Sequence, residues 1–232
     1  MTTTAAGRRT IQHTIEPGVI SLRGLSPQRH RFELEYALER GSTANSILFT
    51  AGDDGPAVLV HPPGVAYRDV FLPALEQALS DTRQPLLVVV GHVNPNRVAL
   101  LHALAETGHP LTLATSNAGA KLLNELWHQR KPSKPGDDSP APPIPDIPAL
   151  KVVRHEETIA LAGGRNLTLL ATPTPRWPGG LLAFETSLGL LMSDKFFSAH
   201  LCTSDWAEAN RSSTEEERRH FYDCLMAPMA RQ

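Results

Sequence analysis

Hydrophobic and polar positions change their spacing along this chain in an order that predicts its elements. Val19 to Leu22 and Arg31 to Tyr36 read as short strands, the second setting Phe32, Leu34 and Tyr36 on one face. Gly41 to Asn45 reads as a turn into the strand Ser46 to Thr50, and Asp53-Asp54-Gly55 as the turn before Ala57 to Val60. Val65 to Leu79 carries apolar residues at helical spacing, and Leu86 to Val90 is an unbroken apolar strand. A helix over Val98 to Leu104, a strand over Leu111 to Ala114 and a helix from Ser116-Asn117 to Gln129 follow, with Ser116 or Asn117 as the cap. Further strands are expected at Lys151 to Arg154, Asn166 to Ala171, Leu181 to Glu185 and Leu190 to Met192. A helix beginning near Thr214 closes the chain, with acids in its first turn and bases after them.

Residues 131–148 break this rhythm. Rich in Pro, Ser, Lys and Asp, they have too few apolar side chains to order themselves by burial, and read as an exposed insertion. Around it the order is strands, then β-α-β-α, then strands, then a helix. Two packed sheets with helices outside, an αββα sandwich of class α/β (α+β), account for that order. A doubly wound single sheet requires βα alternation that stops near residue 150, and neither nucleotide-binding glycine fingerprint is present.

Composition narrows the functional classes. At 232 residues and 41% hydrophobic content the chain can bury a substantial core. A formal charge of −2 argues against nucleic acid as a partner. Cys202 and Cys224 form no disulfide framework, so a reducing, cytoplasmic setting is expected. No apolar run reaches the roughly 20 residues that cross a bilayer, so no integral membrane segment is expected. Residues 1–12 read as a flexible tail, with a short transit-like role as the alternative.

Candidate chemistry concentrates at the end of the apolar strand, in Gly91-His92-Val93-Asn94-Pro95-Asn96-Arg97. Polar side chains at 92, 94, 96 and 97, just before a helix, sit where an α/β sandwich keeps its active site. The alternative is a plain polar helix-start loop. His61-Pro62-Pro63 reads as a rigid strand end and not as a metal ligand. His109 and His155 read as ordinary loop histidines, and Trp177 as a pocket wall whose indole N–H needs a partner.

Several segments together resemble the metallo-β-lactamase-like domain of flavodiiron proteins, above all the multidomain class of cyanobacteria and chloroplasts. Phe32-Glu-Leu-Glu-Tyr36 with Gly41-Ser-Thr-Ala-Asn-Ser46 is similar to the region before that family's first core strand. Thr172-Pro-Thr-Pro-Arg176-Trp177-Pro178 resembles its His-Trp-Pro loop. Ser193-Asp194-Lys-Phe-Phe-Ser-Ala-His200-Leu-Cys202 resembles its Cys-Asp-Ala-Phe-Gly-x-His-Phe-Cys segment. Phe221-Tyr-Asp-Cys-Leu-Met-Ala-Pro228 matches its Tyr-Tyr-Asp-x-Leu-Met-x-Pro helix. The likeness spans residues 13–232, taken as one domain that continues beyond Gln232 in a longer protein.

The resemblance implies where iron ligands would stand. The family's first His falls on His92, its Glu on Asn94, its Asp on Asn96 and its second His on Arg97. The His before Trp-Pro falls on Arg176 and the bridging Asp on Asp194. Only His92 and Asp194 keep a ligand type. Arginine has no lone pair to give and stays protonated, so this shell should repel a dication. Asp194 is expected to pair with Arg97 or Arg176, with His92 and the two amides completing the hydrogen bonds, and leftover positive charge could hold an anion. No iron and no cofactor are expected in this domain, and its own catalytic residues are not identifiable. Two ligands are also too few for a catalytic zinc.

For the full-length protein the resemblance implies a flavodoxin-like FMN domain, and FAD or NAD(P)H chemistry in the photosynthetic class. It also implies homo- or hetero-oligomers with another flavodiiron-type subunit. The expected function is that of an oxidoreductase subunit in the reduction of oxygen to water, with electrons from NAD(P)H or a photosynthetic donor. This domain would be inactive alone and act beside a catalytically intact partner. The alternative is a non-enzymatic interaction or anion-binding module on the same fold.

Overall fold

The computed structural model describes residues 7–28, 30–32, 36–38, 40–52, 55–79, 84–129, 143–205 and 212–229. Strands β1 (Arg9–Glu16) and β2 (Val19–Ser26) form an antiparallel hairpin that turns at Gly18, whose φ of +79° suits a residue without Cβ. A small separate hairpin, β3 (His30–Phe32) with β4 (Tyr36–Leu38), precedes β5 (Ser42–Phe49) and β6 (Ala57–Val60). Then come a 3-10 turn (Val65–Tyr67), α1 (Arg68–Leu79), β7 (Leu86–Val89), α2 (Pro95–Ala105), β8 (Leu111–Thr115), α3 (Asn117–Trp127) and β9 (Ala149–Val152). The chain continues through β10 (Glu157–Ala160), β11 (Asn166–Ala171), β12 (Leu181–Glu185) and β13 (Leu190–Met192). Helix α4 (Ser212–Phe221) runs into a π turn (Tyr222–Met226).

Strand pairing yields two main sheets. The first runs β1-β2-β5-β6-β7-β8-β9, antiparallel as far as β6 and parallel from β6 to β9. The second is the antiparallel meander β10-β11-β12-β13. The two-residue period of each strand divides its side chains between two cores. Leu48, Leu59, Val88 and Leu113 face the helix side, where they meet Phe71, Leu75, Leu101, Leu104 and Trp127. Their neighbours Phe49, Val58, Val60, Leu87 and Val89 face the second sheet and meet Leu167, Leu169, Leu181 and Ala183. A third cluster seats Phe221 and Leu225, from the chain's last helical segments, on Trp177. The expected two-sheet sandwich is what the chain forms.

Five local expectations need correction, the first being that Gly41 to Asn45 is a turn: β5 already begins at Ser42 and pairs with β2 from there. Residues 9–12 are not tail: they belong to β1, an edge strand whose Thr10 is buried although most of its side chains are polar. The single strand expected at 31–36 is the two-stranded β3–β4 hairpin, with Phe32 opposite Tyr36, and Leu34 lies outside the described residues. The expected insertion lies outside the described residues up to 142, as do Asp53 and Asp54 of the expected turn. Its last part is only partly exposed: Ile144 and Ile147 pack on the helix-side core, and the Trp127 indole N–H donates to the Pro145 carbonyl at 2.8 Å. Strand β10 escapes the pattern because only Ile159 of its four residues is buried. Ser116, by contrast, is the helix cap, its hydroxyl accepting from the Gly119 N–H at 3.1 Å.

Glu185 shows how the second sheet is closed. Fully buried at the end of β12, its carboxylate accepts from Ser187 Oγ at 2.7 Å, Leu188 N at 2.8 Å and Ser187 N at 3.2 Å, which fixes the turn into β13. Burial pushes this carboxyl up, but these donors outweigh it and hold it below its ordinary value. A depressed carboxyl contributes stability above its unfolded value and loses it as pH falls. Glu185→Ala should therefore cost about 1–3 kcal/mol in urea unfolding at pH 7. The difference from the parent should shrink at pH 4.

Candidate functional site

Strand β7 and strand β13 end side by side, and the loops that leave them build the site. At the exit of β7, Gly91 lets the two sheets approach: a Cβ there would lie 2.5 Å from the His61 ring and 2.6 Å from the Leu181 carbonyl oxygen. Asn94 follows as the cap of α2. Its Oδ1 accepts the Arg97 N–H at 2.8 Å, and Pro95 occupies the first turn, where a missing N–H costs nothing. With Oδ1 so engaged, its amide nitrogen points to His92 Nε2 at 3.1 Å. An amide nitrogen only donates, so Nε2 is the accepting nitrogen and the ring proton belongs on Nδ1.

Arg97 then turns back into the seam. Its Nη1 donates to the His92 carbonyl at 2.9 Å and to Asp194 Oδ2 at 3.0 Å, and its Nη2 donates to Asp194 Oδ1 at 3.1 Å. Both side chains are about nine-tenths buried, so this is a bidentate interior ion pair. Asp194 sits at φ +49°, a left-handed conformation uncommon for a residue with a Cβ. Burial alone would raise its carboxyl, but Arg97, with help from His61 and Lys195, holds it well below the usual carboxylate range. His92 is pushed down to about 3 by burial first and then by Arg97 and Lys195, so it is neutral at physiological pH. Trp177 packs edge-on against His92 with ring centroids 6.1 Å apart and against Phe196 at 6.3 Å, which makes it the expected wall.

The structure thus gathers His92, Asn94, Arg97 and Asp194 into one network. Asn96 is exposed on the first turn of α2 and lines the adjoining cavity. Arg176 is half-buried within the Thr174–Trp177 turn and is not among the residues lining that cavity. The bidentate partner of Asp194 is Arg97.

His61 is the residue that sequence reasoning undervalued. It ends β6 at φ +57°, almost fully buried, and its Nε2–H donates to the Met192 carbonyl at 3.1 Å, a direct tie between the sheets. Its Nδ1 is buried without a partner among the described residues, and burial pushes the imidazole below its ordinary value. The only signal was an imidazole directly after four apolar residues and before Pro-Pro. His109 is likewise structural, with Nδ1 3.1 Å from the Gln84 carbonyl and Nε2 3.3 Å from Glu76.

The donor set does not fit a pair of iron ions. Both oxygens of Asp194 are held by a guanidinium and the His92 lone pair faces an amide donor. Among the described residues no three His, Cys, Asp or Glu side chains gather closely enough to hold a metal ion.

The architecture is that of a metallo-β-lactamase-like core. Two solved structures share it closely. The metal-soaked Flv1 flavodiiron core of Synechocystis sp. PCC6803 is 31% identical with a TM-score of 0.82, covering 97% of this chain and 51% of that one. The fragment 1–254 of diflavin flavoprotein A 5 from Nostoc sp. PCC 7120 is 32% identical with a TM-score of 0.79, covering 96% of this chain and 80% of that one. Diflavin flavoprotein A 6 of the same Nostoc strain is 39% identical over 211 residues, 91% of this chain. The chain spans about a third of the length of the curated relatives it matches. No family model matches it. At this identity and coverage the chain belongs to the diflavin flavoprotein A, or flavodiiron, family.

Arg97→Met leaves a buried carboxylate alone and should cost about 3–5 kcal/mol in urea unfolding. Arg97→Met with Asp194→Leu should recover much of that loss, because it removes both charges. Asn94→Asp keeps the cap on α2 but replaces the donor facing His92 with an acceptor. NMR should show the His92 ring silent from pH 5 to 8 in the parent and titrating at higher pH in the variant. Because His92 is depressed on folding, its contribution to stability is complete above the unfolded value near 6.5 and falls as pH drops toward 3.

Proposed function

We propose that this chain is the metal-poor β-lactamase-like domain of a flavodiiron-type oxidoreductase subunit. Its longer protein takes part in the reduction of oxygen to water with electrons from NAD(P)H or a photosynthetic donor. The observation that carries the reading is the closed donor set, in which Arg97 holds both Asp194 oxygens and the His92 carbonyl while the Asn94 amide faces the His92 lone pair. Membership in the diflavin family supports FMN, and possible FAD or NAD(P)H use, in the longer chain. In that setting the domain acts as a scaffold, and oxygen chemistry falls to a partner subunit with an intact metal shell in a homo- or hetero-oligomer. No helix among the described residues is long and apolar enough to cross a membrane, in keeping with a cytoplasmic role.

A second reading, an anion-binding module on the same fold, is favoured by the cationic side chains around the cavity beside Asp194. The test of the first reading is elemental mass spectrometry of the purified chain after iron and zinc loading. Less than about a tenth of an equivalent is expected, from the donor-set argument. Near-stoichiometric metal that disappears in Asp194→Ala would overturn it.

A further inference from the structure

Sulfur is concentrated at one place in this chain. The sequence holds two cysteines and four methionines, and three of these, Cys224, Met226 and Met229, fall between positions 224 and 229. All three pack, half-buried, against the cluster in which Phe221 and Leu225 meet Trp177. The same stretch leaves regular helix, passing from the π turn into a 3-10 turn (Ala227–Met229). Thioethers suit such an irregular joint, because an unbranched, polarizable side chain fills gaps against aromatic rings that a stiffer one would leave. They also make it open to oxidation. Met192, by contrast, is 6% exposed and sits in the core between the sheets.

What this cluster holds in place gives oxidation a consequence. Helix α4 is 10 residues long, too short to persist in water without tertiary contacts. Its start is held by buried Thr214 and by Arg40, which pairs with Glu217 at 3.3 Å and Glu216 at 3.7 Å. The Arg40 side chain is half exposed, and ion pairs that water reaches contribute little. The end of the helix relies on Phe221, which is buried in the cluster and also meets the His200 ring at a centroid distance of 5.2 Å. Trp177, on the other side of the cluster, is the ring that packs edge-on against His92. Loss of this contact therefore frees the terminal helical segments and uncovers one wall of the site.

We propose that Met226 and Met229 are an oxidation site for peroxides, and that their sulfoxides undock α4 and the turns after it from Trp177. A sulfur lone pair takes one peroxide oxygen as the O–O bond breaks; the sulfur loses two electrons, and the other oxygen leaves as water. The new S=O dipole needs donors that the hydrocarbon of Phe221 and Leu225 does not offer. The site lies outside the Asp194–Arg97–His92 network that the metal measurement reads, so either result can fail alone. Graded hydrogen peroxide treatment of the full chain, followed by peptide mass spectrometry and amide hydrogen exchange, tests it. Met226 and Met229 should oxidise about tenfold faster than Met192, and exchange over 212–229 should quicken about tenfold as they do. Strand β7 should keep its protection, and methionine sulfoxide reductases should restore that of 212–229. In Met226→Leu with Met229→Leu the same peroxide dose should leave exchange unaltered. If that variant loses the parent's circular dichroism, reversal by the reductases decides alone. Oxidation of both methionines without faster exchange, faster exchange that the reductases do not reverse, or a loss that persists in the double variant because it follows Cys224 would overturn the proposal.

Discussion

A carboxylate just past β13 lies in the seam between two sheets, about nine-tenths buried, and the site is arranged around its neutralisation. Arg97 supplies the counter-charge from the first turn of α2, so the helix must start at Pro95 and its cap must be Asn94. Asn94 in turn sets the acceptor nitrogen of His92, and His92 sets the edge against which Trp177 packs. Trp177 carries Phe221 and Leu225, which dock the last helical segments. One buried charge therefore reaches outward through a cap, a tautomer and a ring contact.

An amide at position 94, where the resemblance implies a carboxylate, has a physical logic of its own. A carboxylate can cap a helix but cannot donate to an imidazole. An amide does both, and its donor half faces the lone pair that a metal would have used. The network's ligand-type residues are each engaged by a neighbour.

How much of this was legible follows from where the information sits. The strands of the buried sheets announce themselves because they are apolar on both faces, and Leu86 to Val90 could hardly be anything else. Strands β1 and β10 lie at the edges of their sheets with few buried side chains, so burial leaves little trace in their sequences. The network residues His92, Asn94, Arg97 and Asp194 were visible through resemblance, because each occupies a position with a known chemical role. The choice between Arg97 and Arg176 was not, since both are arginines and only backbone geometry separates them. His61 was missed for the complementary reason: its ring bonds to a main-chain carbonyl on β13, a partner that no side-chain pattern encodes.

Position 197 shows the backbone outlasting its usual occupant. The family pattern has glycine there, and Phe197 keeps a φ of +59° with its ring 78% exposed. The ion pair at Asp194, three residues earlier, spans 97 residues of chain, from α2 to the loop after β13. Such a closure carries a large entropic penalty and follows the assembly of local hairpins. Kinetically, the pair then acts as a latch: once fastened it slows the opening of the sandwich and contributes little to the speed of its formation. The lifetime of the closed seam is in this way set by two side chains of the chain itself.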